Sequence, residues 1–171
     1  SLTEQLLAIL EETEREATFF VVGETANRYP DLVRKIANQG HEVASHTYSH
    51  PSLPELTPEK IHQELTESKD ILESVTGNTI RGFRAPTFQI DDRVYRILTE
   101  SEYEYSSSVL PNVPVPGFYS NKFDFTRPTS SETSTGSLTE YPIPTSPFVP
   151  FPISCACTRL LGRRYTLTRF R

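Results

Sequence analysis

Across the first 110 residues the apolar positions switch repeatedly between two periods, and this switching limits the chain to very few folds. Ala17 to Val22 is an unbroken β-branched and aromatic run, the mark of a strand buried on both faces, and Gly23 ends it. Before it, Ser1 and Glu4 form a possible capping box ahead of Leu6, Leu7 and Leu10 on one helical face. After it, a helix is predicted from Pro30, with Leu32, Val33, Ile36 and Ala37 inward and Gly40 as its C-terminal stop. His41 to Ser45 then reads as a short strand. The third helix starts at Thr57 as N-cap with Pro58 behind it, carries Ile61, Leu65, Leu72 and Val75, and closes at Gly77. Ile80 to Arg84 is the next strand. Asp91 or Asp92 caps a helix bearing Val94, Ile97 and Leu98, and Tyr103 to Val109 returns as strand. Helix and strand alternate four times with short connections. That order predicts parallel strands joined by right-handed crossovers, hence an α/β sheet or a (β/α) barrel.

Beyond residue 110 the texture changes. Residues 111–152 hold many of the 14 prolines, and Thr126 to Thr139 is rich in Ser and Thr. Long loops or an insertion over the barrel mouth are expected there, with one further strand at Ser137 to Ile143. Residues 1–110 are expected to form the barrel core, and 111–171 the loops and remaining barrel elements of the same domain. A length of 171 residues suits that single domain. The net charge of −5 gives no basis for a nucleic-acid partner, and the basic end Arg159 to Arg171 reads as a solvated face. No apolar run approaches the ~20 residues of a transmembrane helix. Cys155 and Cys157 are too close for an easy mutual disulfide and miss the C-x-x-C spacing, so they read as two ordinary thiols.

Barrel enzymes place their chemistry at the C-terminal ends of strands, and two polar clusters follow strands here. His46 and His50 are four apart, a spacing that puts both imidazoles on one face of a helical turn and lets them share a divalent ion. Spacing alone leaves two hydrogen-bonded surface histidines equally open; the position at a strand end favours ligands. Thr47 stands where the metalloprotease H-E-x-x-H motif has its Glu, so a zincin peptidase is disfavoured. His41 and His62 read as structural. Arg84 precedes Ala85 and Pro86 at the next strand end, where a fixed cation could orient a carboxylate base or contact substrate oxygens.

Three segments together resemble the polysaccharide deacetylases of the NodB-homology, carbohydrate esterase 4 group, with the flavour of its exopolysaccharide-associated branch. They are Ala17-Thr18-Phe19-Phe20-Val21-Val22-Gly23, the run Gly40 to His50, and Arg81-Gly82-Phe83-Arg84-Ala85-Pro86-Thr87-Phe88. Ser107-Ser108-Val109 matches a later phrase of that branch. The resemblance implies a distorted (β/α) barrel, incomplete in this chain, that hydrolyses N-acetyl groups on N-acetylhexosamine polymers or oligosaccharides. It implies a divalent metal, Zn²⁺ first, held by an Asp with His46 and His50, and Arg84 as the arginine that orients the catalytic base. Thr47 would support the motif turn, and Thr47, Tyr48, Pro86 and Phe88 would border the substrate groove. The family's Asp-Asp motif, which supplies the third ligand and the base, falls just before the first helix. None of Asp31, Asp70, Asp91, Asp92 or Asp124 matches it, and no His follows His62 to serve as the late acid. Truncation at both ends is therefore expected, leaving a fragment inactive alone. Two alternatives stay open: a catalytically silent carbohydrate-binding relative, and a metal amidohydrolase for small amides. Cell envelope, extracellular space and cytoplasm are all open as compartments.

Overall fold

The computed structural model describes residues 1–110, 127–133 and 136–143. Five α-helices and six strands follow in the order α1 (Leu2–Glu12), β1 (Thr18–Val21), α2 (Gly23–Arg28), α3 (Pro30–Asn38), β2 (Glu42–Ser45), α4 (Pro58–Thr76), β3 (Gly82–Phe83), α5 (Asp92–Glu100), β4 (Tyr105–Ser106), β5 (Thr129–Thr133) and β6 (Gly136–Glu140). The strands form one sheet in the order β1-β2-β3-β4-β6-β5. The pairs β1–β2, β2–β3, β3–β4 and β4–β6 are parallel, and β5–β6 is an antiparallel hairpin. The proposed disposition of Cys155, Cys157 and Arg159 to Arg171 lies outside the described residues.

The helix signals act where the chain places them. Ser1 and Glu4 close a reciprocal capping box on α1, and Thr57 accepts from the Lys60 amide with Pro58 in the first turn of α4. Gly77 takes the left-handed conformation at φ 72° that ends α4, a place where a side chain would be strained. The Asp91 carboxylate accepts from the Arg93 and Val94 amides and so starts α5. The core gathers around α4. Ile61, Leu65 and Leu72 have no exposed surface, and Val33, Ile36, Phe83, Val94, Ile97 and Leu98 are buried with them. Two polar ties enter this core with both partners satisfied. Ser68 of α4 meets Ser45 of β2 at 2.9 Å, and the Tyr103 hydroxyl donates to the Leu65 carbonyl at 3.0 Å.

Four expectations are corrected. First, β1 is not buried on both faces: Phe19 and Phe20 are only half-buried, because among the described residues β1 pairs with β2 alone. Second, α1 does not turn Leu6, Leu7 and Leu10 inward together. Leu7 is buried, Leu10 is half-buried, and Leu6 is 45% exposed on a stripe with Leu2 and Ile9. Third, a helix not expected from the sequence follows β1: Gly23, beyond the end of the strand as expected, also opens α2, which is too short for a periodic signal. Fourth, the Ser/Thr-rich stretch is not all loop, since Thr129–Thr133 pairs with β6 as a strand, where β-branched Thr is at home.

Leu72→Ala removes a fully buried side chain from the helix on which the other elements pack, and is expected to cost about 2–5 kcal/mol. Leu6→Ser, on the exposed stripe, is expected to stay within about 0.5 kcal/mol of the parent. Urea denaturation of both variants checks the contrast.

Candidate metal centre

The parallel ladder brings the two polar clusters to one rim. The His46 amide donates to the Val21 carbonyl at 3.0 Å, Arg84 N to the Ser45 carbonyl at 2.9 Å, and Ser107 N to the Phe83 carbonyl at 2.9 Å. Each loop therefore leaves its strand beside the next one, and a cleft of about 680 Å³ opens between them, lined in part by Phe20, His46, His50, Arg84 and Phe88.

The segment His46–His50 is a loop, not the helical turn that the spacing suggested. It nevertheless sets the two imidazoles edge to face, with ring centroids 4.8 Å apart and planes at 74°. Thr47 and His50 both hold positive φ, 63° and 65°, a conformation costing roughly 1–3 kcal/mol each for such residues unless the surroundings enforce it. The surroundings do. Thr47 is fully buried, its hydroxyl donates to the His46 carbonyl, and its oxygen accepts from the His50 amide at 3.0 Å. Glu64, reaching over from α4, accepts from the Tyr48 amide at 2.9 Å, the Ser49 amide at 2.8 Å and the Ser49 hydroxyl at 2.6 Å. The first amides of α2 close the loop from the other side, Gly23 N to the Thr47 carbonyl and Glu24 N to the Tyr48 carbonyl, both at 2.9 Å. A β-carbon on Gly23 would come within 2.6 Å of the Tyr48 ring and 3.1 Å of its Cα, so only glycine allows this approach.

His46 Nδ1 lies 2.7 Å from the Arg84 carbonyl oxygen. A carbonyl only accepts, so Nδ1 carries the proton and Nε2 of the neutral ring keeps its lone pair. Burial pushes the His46 imidazole below its ordinary pKa, helped by the neighbouring His50 and Arg84 and opposed by the bond to the Arg84 carbonyl. The ring is thus neutral at pH 7, the form a metal ligand needs.

Arg84 is half-buried between two aromatic faces, 4.0 Å from the Phe20 centroid and 5.9 Å from that of Phe88. Its Nε and Nη2 donate to the carbonyl and hydroxyl of Ser107, each at 2.8 Å. Burial lowers its pKa and the charge of Glu140 opposes that; a guanidinium stays charged at neutral pH regardless. The following turn, Pro86–Phe88, holds Thr87 and Phe88 at φ 53° and 59°. Four strained residues therefore sit in the two loops that carry His46, His50 and Arg84.

Of the residues expected to border a substrate, Phe88 lines the cleft and is half-exposed, and Tyr48 is half-exposed against Gly23. Thr47 and Pro86 are fully buried and offer a substrate no surface; they act through the loops they hold. His62 is exposed on α4, and His41, buried at the opposite end of β2 from the pair, packs its ring 5.5 Å from Phe19. Among the described residues no group of three His, Cys, Asp or Glu side chains could hold an ion, and the two histidines stand as a pair. Glu64 and Phe20 were missed in the sequence, the first because a helix-surface Glu carries no local signal, the second because it reads as strand core.

The family model for polysaccharide deacetylase matches residues 1–106. The chain belongs to the polysaccharide deacetylase family. A peptidoglycan-N-acetylglucosamine deacetylase of Bacillus cereus is 32% identical over 101 residues, which are 59% of this chain and 37% of that protein. The structure of a putative polysaccharide deacetylase from Mycobacterium smegmatis superposes with a TM-score of 0.74 at 30% identity, over 97% of this chain and 58% of the other. A CE4 family pseudoenzyme from Bacillus anthracis matches with a TM-score of 0.59 at 25% identity, over 61% of this chain and 37% of its own. The fold is the deacetylase family's (β/α) barrel, of which this chain covers part. The chain spans less than half the length of the curated deacetylases and other relatives it matches.

Glu64→Ala leaves the Tyr48 and Ser49 amides without their acceptor, at a cost of about 1–3 kcal/mol. Hydrogen exchange at those two amides is expected to accelerate well beyond that of the α4 core; unchanged protection would show that the loop is held by other means.

Proposed function

We propose that this deacetylase-family chain belongs to a metal-dependent hydrolase that removes N-acetyl groups from N-acetylhexosamine polymers or oligosaccharides, with His46 and His50 as two of the metal ligands and Zn²⁺ as the first choice of ion. The observation that carries the reading is the bond from His46 Nδ1 to the Arg84 carbonyl, with the His50 ring packed against it. Metal-binding histidines commonly anchor their far nitrogen in this way, which orients the ring and frees the other lone pair. The donor set fits a borderline divalent ion. When bound, such an ion supplies Lewis acidity toward an acetamide carbonyl and toward water.

The chain's own residues do the remaining work. Arg84, gripped by Ser107 and flanked by Phe20 and Phe88, is a pre-set cation beside the histidines, suited to hold a carboxylate base or a substrate oxygen. Phe88 and Tyr48 offer apolar faces to a sugar ring, and the rings of Phe20 and Phe88 flank Arg84. The third ligand, the base that accepts a proton from water and the acid that protonates the leaving amine are assigned to residues outside the described ones. A specific observation keeps a second reading in view: a pseudoenzyme shares this fold, so the chain could serve a silent carbohydrate-binding relative.

Acetate release from chitin oligomers and from small amides, with and without chelator, tests the reading. The 171-residue chain alone is expected to be inactive. A longer protein that joins it to an Asp-Asp motif is expected to deacetylate the oligomers, to stop with chelator, and to lose at least about 100-fold on His46→Ala. Robust turnover by the chain alone, or turnover indifferent to chelator, overturns the proposal; oligomer binding without acetate release favours the silent relative.

A further inference from the structure

Glu140, at the end of β6, is 3% exposed, and the hydrogen bonds it accepts among the described residues come from two amides and a phenol, none of them a cation. A buried carboxylate without a direct counter-ion is costly, and one is retained only where its hydrogen bonds and field are worth that cost. Its Oε1 accepts from the Ser108 amide at 2.7 Å and the Val109 amide at 2.9 Å, and its Oε2 accepts from the Tyr95 hydroxyl of α5 at 2.9 Å.

The first of these bonds has a partner across one peptide unit. The peptide joining Ser107 to Ser108 offers its N–H to Glu140, and its carbonyl accepts from Arg84 Nε at 2.8 Å. Anion and cation thus hold the two ends of a single peptide dipole, each polarising it toward the other. The same strand end binds the Arg84 loop twice more, through Ser107 Oγ to Nη2 at 2.8 Å and through Ser108 Oγ to the Ala85 amide at 2.9 Å. Ser108 Oγ is itself 2.8 Å from Ser106 Oγ, in a buried pair. The Arg84 carbonyl then anchors His46.

We propose that Glu140 is a positioning residue for the catalytic rim, the through-peptide counter-ion that sets the Arg84 guanidinium and, behind it, the His46 ring. Its carboxylate does not line the cleft and acts through the Ser107–Ser108 peptide. The relevance to deacetylation rests on the function proposed above, whereas the coupling of Glu140 to Arg84 does not. Glu140 falls in the strand expected at Ser137 to Ile143, where nothing local marks an acidic side chain as buried.

The informative variant is Glu140→Gln, which can keep every hydrogen bond: its amide oxygen accepts from the two amides and its NH₂ donates to the Tyr95 oxygen. Only the charge is lost. The probe is the Arg84 side-chain Nε–H resonance in ¹H–¹⁵N NMR spectra of the 171-residue chain, read beside the backbone amides and a Zn²⁺ titration. The expected result is an unchanged backbone pattern remote from Ser107–Val109, with the Arg84 Nε–H shifted upfield and exchanging at least about tenfold faster, as a weakened hydrogen bond requires. If Glu140→Gln fails to fold, Tyr95→Phe removes one hydrogen bond from the carboxylate and is expected to move the same resonance in the opposite direction, since the remaining bonds then carry more of the charge. An Arg84 Nε–H resonance unmoved in the folded variant, or in Tyr95→Phe where that is the one that folds, overturns the inference. Absence of any Zn²⁺ response in the parent chain counts against the proposed metal function and leaves the Glu140–Arg84 result standing on its own.

Discussion

The bond between His46 Nδ1 and the Arg84 carbonyl joins the loop after β2 to the loop after β3, and the rest of the rim is arranged around it. It can form because β2 and β3 run parallel with Ser45 opposite Phe83, which delivers the next residue of each strand to the same edge. A slip of one residue between the two strands would set the two side chains on opposite faces. The bond also decides chemistry, because a carbonyl admits only one tautomer of His46. Histidine position, ring protonation and arginine position are therefore one constraint rather than three.

Holding that constraint requires backbone that the chain would not adopt alone. Thr47, His50, Thr87 and Phe88 sit at positive φ, and the compensation comes from elements far away in sequence. Glu64 on α4 and the amides of Gly23 and Glu24 on α2 fix the histidine loop, while Ser107 and Ser108 fix the arginine loop. The large buried face of α4 is what allows Glu64 to act as a rigid anchor. Packing and site are thus coupled: the helix that organises the core also presents the carboxylate that holds the strained loop.

Much of this was legible in the sequence wherever a local rule governs. The caps at Ser1, Thr57 and Asp91, the stop at Gly77 and the buried stripe Ile61, Leu65 and Leu72 follow from backbone chemistry within a turn or two. The histidines and Arg84 were legible as candidates because both follow strands. What escaped were matters settled by partners distant along the chain. The half-exposure of Phe19 and Phe20 depends on what lies beside β1, and β5 exists because β6 pairs with it. The loop form of His46–His50 depends on Glu64 and Gly23, and no four-residue spacing could reveal it. Burial of Thr47 and Pro86, likewise, turned two residues expected at a groove into supports beneath it.

The coupling of His46, His50 and Arg84 can be read from the ring ¹⁵N NMR spectrum of His46, followed as Zn²⁺ is added to the chain at neutral pH. The expected spectrum shows a neutral ring protonated at Nδ1 before metal, then a selective change at Nε2 of His46 together with a response from the His50 ring. A ring protonated at Nε2, or a Zn²⁺ response at His41 or His62 with none at His46 and His50, would contradict it.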